Sequence, residues 1–351
     1  FLKKYNHKNT SMKLIKKSHN FFIREKRLPT YGEIMRGFNI KKNKVPLPTF
    51  VQLEPTTKCN LNCVMCTRST MNPKRLNQDL SLEKFQYILK EIPTIKKIKL
   101  QGMGEPLLNK EIFKITQFGK KKNIKFTTTI NGTLINSDNI DLILENFQEI
   151  VISLDAANKE DYLQIRRVDL FDKVIEGIKL IVKRKKELNI NSRIILNSVI
   201  SHLNYQEVPL IVDFGKNCEV DSIGFVEVEN WKTPLEQDYE GEKKFIQQSR
   251  KFKKEIQKMI LEYYKEKNSM EIQYLFSDRR KNKCLWPFFY CFITVDGFIT
   301  PCCIRMDPEV FNFGNIFEEP FKEIWNGIKY QKFREAMIKN LSNPICDNCP
   351  D

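Results

Sequence analysis

The sequence is poor in histidine, in acid and in long apolar runs. His7, His19 and His202 are its only three histidines in 351 residues, too scattered to build a zinc site or a catalytic pair. No stretch approaches about eighteen uninterrupted apolar residues, so no membrane-spanning helix is expected. The opening "FLKKYNHKNTSMKLIKK" has no apolar core followed by small residues, which argues against a secretory signal. It also starts without methionine, so an upstream segment is expected to be missing. Acid is outnumbered, with 43 Asp and Glu against 59 Lys and Arg, for a net charge of +16. Residues 1–50 hold thirteen basic residues and two acidic ones. That surplus is either a solvated face or an attraction for an acidic partner: a peptide, a phosphorylated sugar, an anionic lipid surface or nucleic acid. "SMKLIKKSHNFFIREKR" interleaves apolar and basic residues, so peripheral membrane contact through this arm stays open. A zinc-dependent nucleic-acid-binding protein is allowed by charge, but neither an aromatic stacking motif nor a recognition helix is evident.

Cysteine is plentiful and clustered. Of ten, three lie at 59–66 and six at 284–349, with Cys218 alone between them. A long, lysine-rich chain without a signal argues for a cytoplasmic location and against a disulfide framework, which leaves metal. Thiolates suit zinc or iron–sulfur clusters. A structural zinc site wants four protein ligands, whereas "TTKCNLNCVMC" offers three, Cys59, Cys63 and Cys66. A 4Fe–4S cluster on three cysteines keeps one iron open for an exogenous chelator.

The chain divides into four stretches. Residues 1–49 read as a basic helical arm closed by the proline-containing linker "KVPLPTF". From residue 50 to 235, strand and helix alternate about six times. "FVQLEP", "IKKIKLQG", "IKFTTTI", "EIVISLDA", "SRIILNSVI" and "VDSIGFVEVE" are the strands, and "SLEKFQYILKEI" is a helix capped by Ser81. This alternation predicts an α/β fold, a partial (β/α)6 TIM-like barrel with a doubly wound sheet as the alternative, and in either the ligands sit at the C-terminal strand ends. Residues 236–283 carry a long amphipathic helix, near 240–267, and a linker. Residues 284–351 form a small cysteine-rich module. In it, "FFYCFITVDGFITPCC" is a hairpin turning at Asp296-Gly297, followed by the helix "PFKEIWNGIKYQKFREAM". The module is expected to be too small to fold without its metal.

The spacing of Cys59, Cys63 and Cys66, directly after the first strand, resembles the signature of the radical S-adenosylmethionine (SAM) superfamily. Met65 stands where that family usually has an aromatic residue against adenine. "QGMGEP" resembles its Gly-Gly-Glu-Pro motif, with Met103 in place of the first glycine and Gly104, Glu105 and Pro106 retained. "TTTING" resembles the third-strand motif, and "ISLDA" the fourth. The resemblance implies cofactor contacts from Met65, Gly104, Glu105, Thr129, Asn131, Ser153 and Arg166, with Arg166 chosen over Arg167 by spacing. It implies a SAM-binding 4Fe–4S cluster on Cys59, Cys63 and Cys66, S-adenosylmethionine, a 5′-deoxyadenosyl radical, and an electron donor such as flavodoxin or ferredoxin.

Cys284, Cys302, Cys346 and Cys349, with "DGFITPCC", resemble the SPASM/twitch module that follows some radical SAM barrels. One auxiliary 4Fe–4S cluster is the implied content, with a truncated two-cluster form as the alternative and a zinc ribbon as the reading from residues alone. Cys218, Cys291 and Cys303 read as buried thiols. Cys303 is also a weak candidate for donating a hydrogen atom to a substrate radical. Expected position at the barrel mouth points to Glu227, Glu229 and Trp231, or to the "LWPFF" stretch of the module, as substrate contacts. The implied activity is oxidation of a sugar-like or other polar small molecule, with maturation of a ribosomal peptide by crosslinking or epimerisation as the alternative.

Overall fold

The structure is a computed structural model. It describes residues 45–228, 252, 254–255, 258–259, 271–275, 284, 286–339 and 341–346. The basic arm, Glu229, Trp231, Cys349 and nearly all of the helix expected near 240–267 lie outside the described residues.

The barrel strands are β1 (Phe50–Leu53), β2 (Lys97–Leu100), β3 (Lys125–Ile130), β4 (Glu149–Ser153), β5 (Arg193–Ile200) and β6 (Ser222–Glu227). The helices between them are α1 (Leu82–Glu91), α2 (Ile112–Lys121), α3 (Ile140–Asn146), α4 (Lys159–Arg166), α5 (Phe171–Glu187) and α6 (Val208–Cys218). Local signals explain their ends. The Ser81 hydroxyl accepts the Lys84 amide and caps α1, and the Asn158 side chain does the same for the Asp161 amide at α4. Helix α4 stops where Arg167 turns left-handed at φ 64°.

All six strands are parallel, as the βαβ alternation requires, but the sheet is wider than six. A seventh parallel strand, β7 (Glu271–Leu275), pairs with β6 in a stretch expected to be linker. On the other edge, β8 (Tyr290–Ile293) runs parallel to β1, with Val51 opposite Cys291. Strands β9 (Phe298–Thr300) and β10 (Gly314–Asn315) continue antiparallel, giving the order β10-β9-β8-β1-β2-β3-β4-β5-β6-β7. Among the described residues no pairing joins β7 to β8, so eight parallel strands form an open barrel.

The expected hairpin is β8–β9, with Gly297 at φ 94° in its turn. Its first strand is also a barrel strand, so the C-terminal module does not stand apart. Helices α7 (Trp286–Phe289), α8 (Phe321–Asn326) and α9 (Ile328–Lys339) complete it. Trp325 is fully buried and its indole N–H donates to the Val45 and Pro46 carbonyls, which joins the module to the entrance of β1. One apolar core runs through both parts. Each fully buried Ile, Leu or Phe adds about 1.5–3 kcal/mol to it. The module therefore gains apolar burial from the barrel, separate from the stability that metal coordination would add.

Strand alternation sorts the two faces. Ile98, Leu100, Phe126, Ile150, Ile152, Ile194, Leu196, Ile223 and Phe225 are buried on the helix side. Phe126 there meets Phe85 of α1 and the bare Cα of Gly119 on α2. The intervening residues face the barrel interior: Gln52, Lys99, Gln101, Thr127, Thr129, Ser153, Asn197 and Gly224 are polar or small, and Val151, Ile195, Val199 and Val226 are apolar. No helix among the described residues is long and apolar enough to cross a membrane.

Candidate active site

The three-cysteine loop leaves the C-terminal end of β1 and folds across the ends of β2, β3 and α4. Backbone bonds hold it there. The Asn62 and Val64 amides donate to the Arg166 and Ile165 carbonyls of α4, and the Cys66 amide donates to the Cys63 carbonyl. Cys59, Cys63 and Cys66 are free, half-buried thiols. Burial pushes the Cys59 thiol up, and burial together with Cys63 pushes Cys66 up to about 12. Thiols in that state are poor nucleophiles and become thiolates on meeting a metal.

Arg166 is buried beneath the loop. Its Nη1 donates to Cys63 Sγ at 3.4 Å, and its Nη2 lies 2.6 Å from the buried Asp155 carboxylate. Burial pulls this guanidinium down, but Asp155 and Cys63 outweigh it and hold it above its ordinary range. The neighbouring Arg167 is the left-handed residue that ends the helix. Arg166 Nε and the Tyr162 hydroxyl are buried without hydrogen-bond partners among the described residues. A buried cation against a ligand sulfur suits the negative charge of a thiolate-bound cluster.

The "GMGEP" segment packs directly on the loop. A Cβ on Gly104 would lie 2.4 Å from the Thr56 carbonyl oxygen and 2.5 Å from that of Lys58, so only glycine permits this approach. The Glu105 amide donates to the Lys58 carbonyl at 2.7 Å. The Glu105 carboxylate is buried and accepts the Asn131 amide at 2.6 Å and the Leu107 amide at 3.1 Å. Burial pushes it up to about 7 against those two bonds and Arg166. A desolvated acid of this kind gains from a cationic ligand. Met103, in place of a glycine, tucks its sulfur beside the Thr67 hydroxyl at 3.6 Å.

Asn131 reaches back to the loop: its Nδ2 donates to Asn60 Oδ1, while Asn60 Nδ2 donates to Thr133 Oγ1. Thr129 Oγ1 donates to Gln101 Oε1 on the interior face, and Ser153 is half-buried at the end of β4. Met65 is half-buried within the loop. Met65, Gly104, Glu105, Thr129, Asn131, Ser153 and Arg166 thus lie in the loop or at the strand ends and helix end around it.

At the module, the Arg305 Nε–H donates to the Ile345 carbonyl, tying the segment after Cys302 and Cys303 to the one bearing Cys346. Cys284, Cys302, Cys303 and Cys346 are half-buried, whereas Cys291 is fully buried on β8 and pushed well up. Among the described residues no three His, Cys, Asp or Glu side chains converge on a single metal ion. Cys349, needed to complete that ligand set, lies outside the described residues.

A family model of the radical SAM superfamily matches residues 53–214, and one of an iron–sulfur cluster-binding domain, SPASM, matches residues 284–350. The chain belongs to the radical SAM superfamily and carries a C-terminal SPASM module. Among curated relatives, the AdoMet-dependent heme synthase of Methanosarcina barkeri is 24% identical over 326 residues, spanning 86% of this chain and 88% of that protein. A GTP 3′,8-cyclase of Clostridium perfringens is 28% identical over 319 residues, spanning 83% and 89%. Among solved structures, SuiB of Streptococcus suis bound to S-adenosylmethionine superposes with a TM-score of 0.68 at 14% identity, covering 97% of this chain and 89% of SuiB. The cofactors of this radical SAM protein are S-adenosylmethionine, the 4Fe–4S cluster that binds it, and an auxiliary iron–sulfur cluster in the module. The site described above fits them: three thiols of soft-metal chemistry, a buried cation at one sulfur, and a desolvated acid beside the loop.

Three features were not legible beforehand. Glu227 shares the helix side of β6 with Ile223 and Phe225, since Val226 is the residue alternating inward. Lys99 does face inward; burial pulls its ammonium down, and among the described residues it makes no hydrogen bond or ion pair. Its charge interacts with Cys303 of the module and Glu149 of β4. A lysine at every second position of "KKIKL" signals a half-exposed strand, and only closure of the sheet reveals which lysine is enclosed. The third is Glu54, considered below.

Proposed function

We propose that this radical SAM protein oxidises a polar, negatively charged small molecule by abstracting one hydrogen atom from carbon and then removing an electron and a proton. When bound, the two clusters and S-adenosylmethionine supply the reductive cleavage that yields a 5′-deoxyadenosyl radical and an acceptor for the second electron. The chain's own residues bind and orient. Cys59, Cys63 and Cys66 hold the first cluster, with Arg166 against Cys63. Gly104, Glu105, Thr129, Asn131, Ser153 and Met65 surround the S-adenosylmethionine. Cys284, Cys302, Cys346 and Cys349 hold the auxiliary cluster. Enclosure by the barrel keeps water from the radical and sets the reacting carbon in reach.

One observation carries the substrate class: Lys99 lies on the interior face with no hydrogen bond or ion pair among the described residues, and its charge reaches Cys303 and Glu149. Burial works against this cation while Glu149 and Cys303 act on it only at a distance, so an anionic group on the ligand would stabilise it by direct contact. Gln101, Thr127 and Asn197 supply further hydrogen-bonding groups on that face. Val226 and Gly224, not Glu227, line its β6 side. An electron donor of the flavodoxin or ferredoxin kind completes the system.

A peptide is the second reading, because SuiB, which shares this fold, has been seen bound to its precursor peptide SuiA. The test is anaerobic turnover of reconstituted protein with dithionite and S-adenosylmethionine, against carboxylated or phosphorylated small molecules and against peptides. Formation of 5′-deoxyadenosine that depends on the small molecule, with deuterium carried over from labelled substrate, supports oxidation. Turnover with peptides alone refutes it.

A further inference from the structure

Glu54 lies one residue beyond β1 and is fully buried. Its two oxygens serve different parts of the molecule. Oε1 accepts the Met103 amide of the "GMGEP" segment at 2.9 Å. Oε2 accepts the Val295 amide, in the hairpin turn of the module, at 3.1 Å. Gly102 makes room for this, since a Cβ there would lie 2.3 Å from Glu54 Cγ. Glu54 Oε2 also lies 3.5 Å from Nη2 of Arg75, itself buried.

Arg75 extends the chain of charge into the module. Its Nε donates to Asp296 Oδ2 at 2.9 Å and its Nη2 to Asp296 Oδ1 at 3.3 Å. Its Nη1 lies 4.0 Å from Asp307, which follows the segment bearing Cys302 and Cys303. Burial works against this guanidinium, but Asp296, Glu54 and Asp307 outweigh it and keep it charged. Arg75 is also fastened to the cysteine loop: its carbonyl accepts the Thr57 hydroxyl at 2.7 Å. At the far end Asp296 accepts the Thr294 hydroxyl.

We infer that Glu54, Arg75 and Asp296 form a positioning relay that sets the backbone of the cofactor motif by the seating of the C-terminal module. The Met103 peptide is the joint. It belongs to the segment beside S-adenosylmethionine, yet its N–H is aimed by a carboxylate whose other oxygen accepts from the hairpin and whose neighbouring cation, Arg75, bonds Asp296 there. A buried charge left by loss of its partner is costly, so the three residues act as a unit. The relay gives the module a second role: besides carrying a cluster, it completes the site at the other cysteine loop.

The test is the affinity of the reconstituted holoenzyme for S-adenosylmethionine, measured by equilibrium dialysis, alongside thermal melting. Asp296→Asn sits on the hairpin tip, away from the cofactor motif. It should weaken binding by roughly five- to tenfold, the lower end of coupling between separate sites. Asn315→Ala removes the side-chain bond to the Asp296 carbonyl and loosens the same hairpin without touching the charges. It should lower the melting temperature and leave affinity unchanged. Arg75→Lys keeps the charge, folds if Asp296→Asn does not, and should give an intermediate loss of affinity. Equal affinity in Asp296→Asn, Arg75→Lys and wild type, with changes in melting alone, overturns the relay and leaves a structural ion pair.

Discussion

Gly104→Ala offers the sharpest probe of how the cofactor site is built. The new methyl would sit 2.4 Å from the Thr56 oxygen and 2.5 Å from the Lys58 oxygen, about 1 Å inside ordinary van der Waals contact. Neither oxygen belongs to a flexible side chain. The Lys58 carbonyl accepts the Glu105 amide at 2.7 Å, and the neighbouring Thr57 amide is bonded to the Gln78 carbonyl. The loop and the "GMGEP" segment must therefore part, at an overpacking cost of about 1–3 kcal/mol. Loss of the Glu105–Lys58 bond adds about 0.5–1.5 kcal/mol. A total near 2–4 kcal/mol should appear as a fall of several degrees in melting temperature. Because the displaced atoms flank Cys59, iron retention and S-adenosylmethionine binding should fall with it. Gly224→Ala is the reference. There a Cβ meets only the end of the Asn197 side chain, at 3.0 Å, so the cost should be about 1 kcal/mol or less. Differential scanning fluorimetry, iron analysis and equilibrium dialysis under anaerobic conditions read all three quantities. If Gly104→Ala matches Gly224→Ala in each, the close backbone approach does not hold the site together.

Other expectations follow from the same geometry. Replacing Cys302 and Cys346 by serine should remove about four iron atoms per chain while leaving S-adenosylmethionine cleavage partly active; unchanged iron would break the assignment of the auxiliary site. Lys99→Met should weaken substrate binding without impairing S-adenosylmethionine binding, and a matched loss of both would place Lys99 in the cofactor site. The Glu105 carboxyl is pushed up to about 7 from 4.5. The folded chain therefore binds a proton there that the unfolded chain has released. That contribution to stability is complete below the unfolded value and is lost as pH rises through about 7, an effect of roughly 3 kcal/mol. Urea unfolding should find this group contributing about 2 kcal/mol more at about pH 5.5 than at about pH 7.5 in wild type and not in Glu105→Gln; the same pH difference in both would refute the shift.

Local patterns were enough for much of the fold. Strands β1 to β6 and the helices between them follow from apolar periodicity and from caps such as Ser81, because each was written in contiguous residues. The cysteine spacing and the "GEP" segment announced a metal and cofactor site for the same reason: ligands three and four residues apart must share a loop. β7 was hidden, since "EIQYL" is short and has meaning only beside β6. The double life of β8, a hairpin strand and a barrel strand, was equally out of reach, because pairing with Val51 joins residues separated by most of the chain.

The sequence by itself determined the family: three clustered thiols in a loop directly after the first strand, and the strands that carry the motifs around it. Only tertiary structure decided which polar side chains face one another. Closure of the sheet turned Lys99 inward and left Glu227 on the helix side, and it set Glu54 between Met103 and Val295. Such contacts depend on strand order and on the two-residue alternation of each strand, which no local signal encodes across hundreds of residues.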